Sequence, residues 1–245
     1  MVAKDKQREM PFLDHLEELR SRIIFTVLTV VVLSSLSYLF SGWALEFLTR
    51  PVGKLYFFSI TEAFMARVKV SIACGIALSL PVILFQIWRF VAPALKSQEK
   101  HYTYPAIFSS LLLFAGGVWF AYALILPVGV KFLLAFGSGS LQGLLGVSSY
   151  LTFILFFLLS FGIVFQLPVV IFFLAKIGLV SPSTLRKRRR EAVVIIFIVA
   201  AVITPSVDMF SMLAMGLPLV VLFEISIWVS HWATRKAAAT RVEGD

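Results

Sequence analysis

A few carboxylates and carboxamides stand out in a chain of 245 residues that is 60% hydrophobic and only 14% charged. Glu17 and Glu18 lie in HLEELRSR (15–22), and Glu99 lies in APALKSQEKHY (92–102). Carboxylates of this kind bind guanidinium groups through paired, charge-assisted hydrogen bonds, which strengthen where solvent is partly excluded. Phe90 and Pro93 could give such a site an apolar wall. The chemistry indicated is recognition of a cationic ligand. Ion pairs with Arg20, Arg22 or Lys100 are the alternative use of the same carboxylates. Three further polar residues interrupt apolar runs: Gln86 in PVILFQIWRF, Gln166 in GIVFQLPVV and Glu224 in LVVLFEISIW. Each is costly in lipid unless it faces protein or water. Bonds between helices and the lining of a polar path both remain open for the glutamines. Glu224 precedes Arg235 by 11 residues, about 16 Å along a helix, and reads equally as a structural partner or a functional carboxylate.

The elements that must position these groups are membrane helices. Soluble domains average about 25% charged residues, and no soluble domain of this length hides so much apolar side chain. A crossing needs about 20 apolar residues. The uncharged runs predict a single all-α membrane domain over 1–245, with six spans at about 23–43, 68–90, 104–128, 150–175, 191–205 and 210–232. The Gly/Ser-rich stretch 137–149 reads as a loop, and the segment 43–67 as short interfacial helices. The fifth and sixth spans read as short helices joined by the turn chemistry of TPSVD (204–208), and thinned lipid is expected around the fifth. Pro81, Pro127, Pro168, Pro205 and Pro218 fall in or at the ends of spans. Proline removes a helical hydrogen bond, so a bent, concave bundle is expected.

Seventeen of the 22 basic residues then fall on one side, including RKRRR (186–190). That asymmetry puts both termini in the cytoplasm and makes RKRRR an orientation anchor rather than a nucleic-acid site. Cys74 is the single cysteine, so no disulfide forms within the chain, and a packed helix position is expected for it. The acidic residues among the first 22 positions fit neither a secretory signal nor a transit peptide. His15, His101 and His231 are not spaced as metal ligands. There is no phosphate-binding GxxxxGK[ST], HExxH or GxSxG pattern. No catalytic residue, metal or cofactor is expected, and the protein reads as a non-enzyme.

Taken in order, HLEELRSR, LPVILFQIWRFVAPAL (80–95) with Glu99, FGIVFQLPVV (161–170), SPSTLRKRRR (181–190), TPSVD and LPLVVLFEIS (217–226) resemble the TatC family over about 11–235. The resemblance implies the core receptor of the twin-arginine translocase. Such a receptor binds signal peptides with two consecutive arginines at the cytoplasmic face. It exports folded proteins with TatA- and TatB-type single-span partners, driven by the proton-motive force, across the inner membrane of a prokaryote. It implies a signal-peptide site at Glu18, Arg20, Phe90 and Glu99, and an outer-loop partner contact at Thr204, Pro205 and Asp208. The family's polar residue in the fourth span, often Glu, is Gln166 here, and its carboxylate in the last span is Glu224. The rival reading is a small-solute secondary transporter or channel with Gln86, Gln166 and Glu224 as a midplane site, although no internal repeat supports it. A purely structural assembly subunit is a third.

Overall fold

A computed structural model of the chain describes residues 12–91, 103–135, 144–203 and 209–242. The fold is helical. Helix α1 (Phe12–Ser37) passes through a 3-10 turn (Tyr38–Phe40) into α2 (Ser41–Thr49). Then follow α3 (Ile60–Val91), α4 (Thr103–Phe120), a π-helical turn (Ala121–Ile125) and α5 (Leu126–Ala135). The chain ends with α6 (Val147–Val164), α7 (Leu167–Lys176), α8 (Pro182–Lys187), α9 (Arg189–Ile203) and α10 (Met209–Val242).

Among the described residues five stretches are long and apolar enough to cross a bilayer: Leu16–Thr49, Ile60–Phe90, Tyr104–Phe132, Val147–Lys176 and Met212–His231. Helix α9 has 15 residues, about 22 Å at 1.5 Å per residue. It is the short helix that the sequence leads one to expect. The helix after it is not short, because α10 runs 34 residues. The interfacial helices expected between 43 and 67 also need correction. The first helical rod continues to Thr49, and α3 begins at Ile60, so Thr61 and Glu62 sit in its first turn. Glu62 accepts from the Phe58 backbone N–H at 2.7 Å and caps that turn.

The prolines act in three ways. Pro81 and Pro218 stay inside α3 and α10. Pro127 follows a π turn centred on Ala123, the residue whose carbonyl its ring would meet. Pro168 breaks its helix outright. The expected helix over 150–175 is two helices, with Pro168 in the first turn of α7, where its missing N–H costs nothing.

Helix α6 is the centre of the bundle, with Leu151, Ile154 and Phe161 fully buried. Close approach to α4 depends on a reciprocal pairing. Gly162 of α6 faces the Phe114 ring, and Gly117 of α4 faces the Phe165 ring and the Phe161 carbonyl. Small residues let membrane helices pack this closely. Polar ties fasten the outer elements. Tyr150 donates to the Leu48 carbonyl at 2.8 Å, Tyr122 donates to the Phe47 carbonyl at 2.6 Å, and Lys69 donates to Ser148 and Thr152 at 2.8 Å each. Tyr56 pairs its backbone with Leu145 and Val147 at 2.9 Å, which ties the first loop to the start of α6. An open apolar cavity of about 780 Å³ lies between α2, α3, α4 and α6, walled by residues such as Phe47, Leu78, Phe108 and Leu155.

Helix α1 is the opposite of α6. Ile23, Ile24, Val27, Leu28, Val31 and Val32 are all exposed, an apolar face that fits lipid rather than water. Its inner side rests on α3, and at the crossing Gly75 lies directly against the backbone of Ser34.

Candidate functional site

The α1–α3 seam opens, at the end away from the first loop, into a groove of about 570 Å³. Its walls are Glu17, Glu18, Ser21, Arg22 and Phe25 from α1, and Gln86 and Arg89 from α3. Helical geometry selects them. Residues 18, 22 and 25 recur at i, i+4 and i+7 on one face of α1, and 86, 89 and 90 do so at i, i+3 and i+4 on α3.

At the centre is a guanidinium with three kinds of contact. Arg22 donates through Nη2 to Oε1 of Glu18 and through Nη1 to the backbone carbonyl of Gln86 at 3.0 Å. Its Cζ lies 6.0 Å from the centroid of the Phe90 ring, within reach of a cation–π attraction. The Arg22 side chain is only 12% exposed and that of Glu18 26%, so the pair is largely withdrawn from water. Among the described residues, the four charges lining the groove balance, with Glu17 and Glu18 against Arg22 and Arg89.

The structure thus brings Glu18, Gln86 and Phe90 together. It does not bring Arg20 in, because Arg20 is exposed and is not one of the lining residues. Glu99, Thr204, Pro205 and Asp208 lie outside the described residues. Arg89 carries no motif of its own, and the only signal for it is its three-residue spacing from Gln86.

The other polar residues sit on separate seams. Gln166 donates through Nε2 to the Ser110 carbonyl at 3.0 Å and to the Gly162 carbonyl at 3.4 Å. It thereby ties the α6–α7 break to α4. Both partners are acceptors, so the position wants a donor, which a carboxamide supplies at any pH. Glu224 accepts from Arg189 Nη2 at 2.8 Å and joins α10 to the start of α9. Dispersal over the α1–α3, α4–α6 and α9–α10 seams argues against one midplane solute site built from Gln86, Gln166 and Glu224.

The Arg189 and Glu224 side chains are 47% and 40% exposed. Glu224 lies within the membrane-spanning stretch Met212–His231, so Glu224→Gln leaves Arg189 without its counter-charge and is expected to lower the thermal midpoint in detergent by several degrees. A collapse of transport with that midpoint unchanged would instead assign Glu224 a direct role.

The groove-bearing chain is similar to known proteins along nearly its whole length. The family described as Sec-independent protein translocase protein (TatC) matches residues 14–218. A protein of that name from Carboxydothermus hydrogenoformans is 39% identical over 235 residues, covering 94% of this chain and 97% of the relative. The one from Aquifex aeolicus is 38% identical over 235 residues, covering 93% and 97%. A crystal structure described as the twin arginine translocase receptor TatC superposes with a TM-score of 0.80 at 37% identity, over 90% of this chain and 99% of that one.

Proposed function

Because the chain belongs to the TatC family of Sec-independent protein translocase proteins, we propose that its α1–α3 groove is where the twin-arginine translocation system reads its signal peptides. The protein is a multi-pass membrane component of that system. In this reading the groove opens to the cytoplasm, both termini lie there, and α9 is a sixth, short crossing of a prokaryotic inner membrane. Glu18 and Phe90 form the arginine site with Gln86, and Glu99 completes it from the following loop. Thr204, Pro205 and Asp208, which follow the short α9 in the chain, contribute to the docking of TatA- and TatB-type single helices. Export of folded cargo then draws on the proton-motive force.

One observation carries the proposal. The groove already holds a guanidinium on a carboxylate, a carbonyl and an aromatic face, so it is chemically a site for arginine. Lysine keeps the charge but lacks the planar fork.

Photocrosslinkers at positions 86 and 90, in membranes offered a twin-arginine signal peptide, test it. The expected result is strong crosslinking to the arginine peptide, little to its double-lysine form, and about tenfold less with Glu18→Gln when the probe is at position 86 or 90. Equal crosslinking of both peptides, with Glu18→Gln matching the wild type, would overturn the assignment.

A further inference from the structure

We propose that Arg22 is a resident occupant of the arginine site, a built-in guanidinium that an incoming signal arginine must displace. This rests on the groove being the signal-peptide site. Arg22 satisfies the three groups that the site would offer a ligand. It takes Oε1 of Glu18, the carbonyl of Gln86 at 3.0 Å and the face of Phe90 at 6.0 Å. Its side chain is the more buried of the ion pair, 12% exposed against 26%. A residue serving only as a surface orientation charge would keep its head in water. Here the head is turned inward, across the seam onto α3.

Charge balance gives this arrangement a consequence. With Arg22 and Arg89 opposite Glu17 and Glu18, the described lining of the groove carries no net charge. A cation entering it gains little from Glu18 until it displaces Arg22. A ligand that supplies its own guanidinium exchanges one Glu18 pair for another, and Arg22 swings out to water at the open side. The carboxylate is never left bare, which matters because stripping a partly buried charge of its partner is the costly step. Two adjacent arginines have an advantage over one, because the second meets Glu17 once the first has replaced Arg22.

A displaced competitor adds the same penalty to every ligand that must displace it. Removing it should therefore raise all affinities by one factor and leave their ratio unchanged. Anisotropy of a fluorescent twin-arginine peptide and of its double-lysine form, with the full-length protein in lipid nanodiscs, reads this. Arg22→Gln is expected to bind both peptides about fivefold more tightly. Arg22→Lys, which preserves net charge but not the fork, is expected to gain about twofold. Arg89→Gln removes a charge from the same groove while leaving the Glu18 pair, and is expected to gain less than Arg22→Gln at physiological salt. Arg22→Lys matching the wild type, with Arg22→Gln and Arg89→Gln gaining equally, would reduce the effect to net charge and overturn the proposal.

A second measurement needs no variant. Phenylglyoxal modification of Arg22, followed by mass spectrometry of the wild type, should rise several-fold when the twin-arginine peptide saturates the protein. Unchanged or reduced modification would show that Arg22 stays in place and would overturn the proposal. Glu18→Gln separates the two failures. Binding unaffected by Glu18→Gln removes the receptor site itself. Binding weakened by Glu18→Gln but not strengthened by Arg22→Gln removes only the resident arginine.

Discussion

Gly75→Ala is expected to pry α1 off α3 and to empty the groove as well. A methyl at position 75 meets the N, Cα and Oγ of Ser34, which are backbone and a short side chain rather than the end of a flexible one. The helices must separate, because the Ser34 N and Cα cannot rotate away as its Oγ can. Overpacking of this kind costs about 1–3 kcal/mol. The loss falls on a helix that has little else to hold it, since most of the apolar face of α1 is exposed.

The groove lies 11 residues beyond Gly75 at Gln86, and 12 residues before Ser34 at Arg22, about 16–18 Å from the crossing on both helices. A wedge at the crossing therefore moves Glu18 and Arg22 relative to Gln86, Arg89 and Phe90. Thermal unfolding in detergent should show a lower midpoint, and twin-arginine peptide affinity should fall about tenfold. Gly116→Ala is the matched control. A methyl there meets nothing within 4 Å, and alanine is the better helix former by about 0.5–1 kcal/mol. Its midpoint should stay or rise. Equal behaviour of the two variants would show that the α1–α3 crossing does not depend on Gly75.

Gly75 also marks where the sequence stops being informative. In SIACGIAL it is one small residue among several, and only the partner helix decides which of them meets a backbone. The prolines divide in the same way. Their positions announce irregularity, but whether a helix absorbs the proline, forms a π turn or breaks depends on who satisfies the freed carbonyls. At Gln166 the side chain itself reaches back to Gly162 and across to Ser110. The groove was more legible. Glu18 and Phe90 follow from motif and chemistry, and the carboxylate's neighbour follows from helix phase. At about 100° per residue, Arg20 points some 200° away from Glu18, whereas Arg22 returns to within about 40°. Of the two arginines in HLEELRSR that could pair with Glu18, the structure uses Arg22 for this contact. Glu224 was undecidable along the chain, since its partner Arg189 is 35 residues away and belongs to another helix.

The length of α9 leads to the other large effect. If α9 crosses the membrane as a helix, its 15 residues span about 22 Å, while a bilayer core is about 30 Å thick. The shortfall is about 8 Å. The adjacent apolar stretch of α10, Met212–His231, has 20 residues and matches an ordinary bilayer. The mismatch is therefore confined to one side of the bundle and cannot be relieved by tilting the whole protein. Lipid must thin locally, at a fraction of a kcal/mol per Å, which amounts to about 2–4 kcal/mol. In nanodiscs of dimyristoleoyl phosphatidylcholine most of that cost disappears, and in dierucoyl phosphatidylcholine it grows. Thermal stability, and hydrogen-exchange protection of α9 in particular, should be highest in the short-chain lipid and fall steadily as the chains lengthen. Four leucines inserted after Val199 should shift the optimum toward thicker bilayers. A thinned patch beside α9 would also lower the barrier to moving polar protein surface at that point, which gives the short helix a use in transport as well as in assembly. Indifference of α9 protection to chain length would mean that α9 does not span the bilayer, and the six-crossing topology would fall with it.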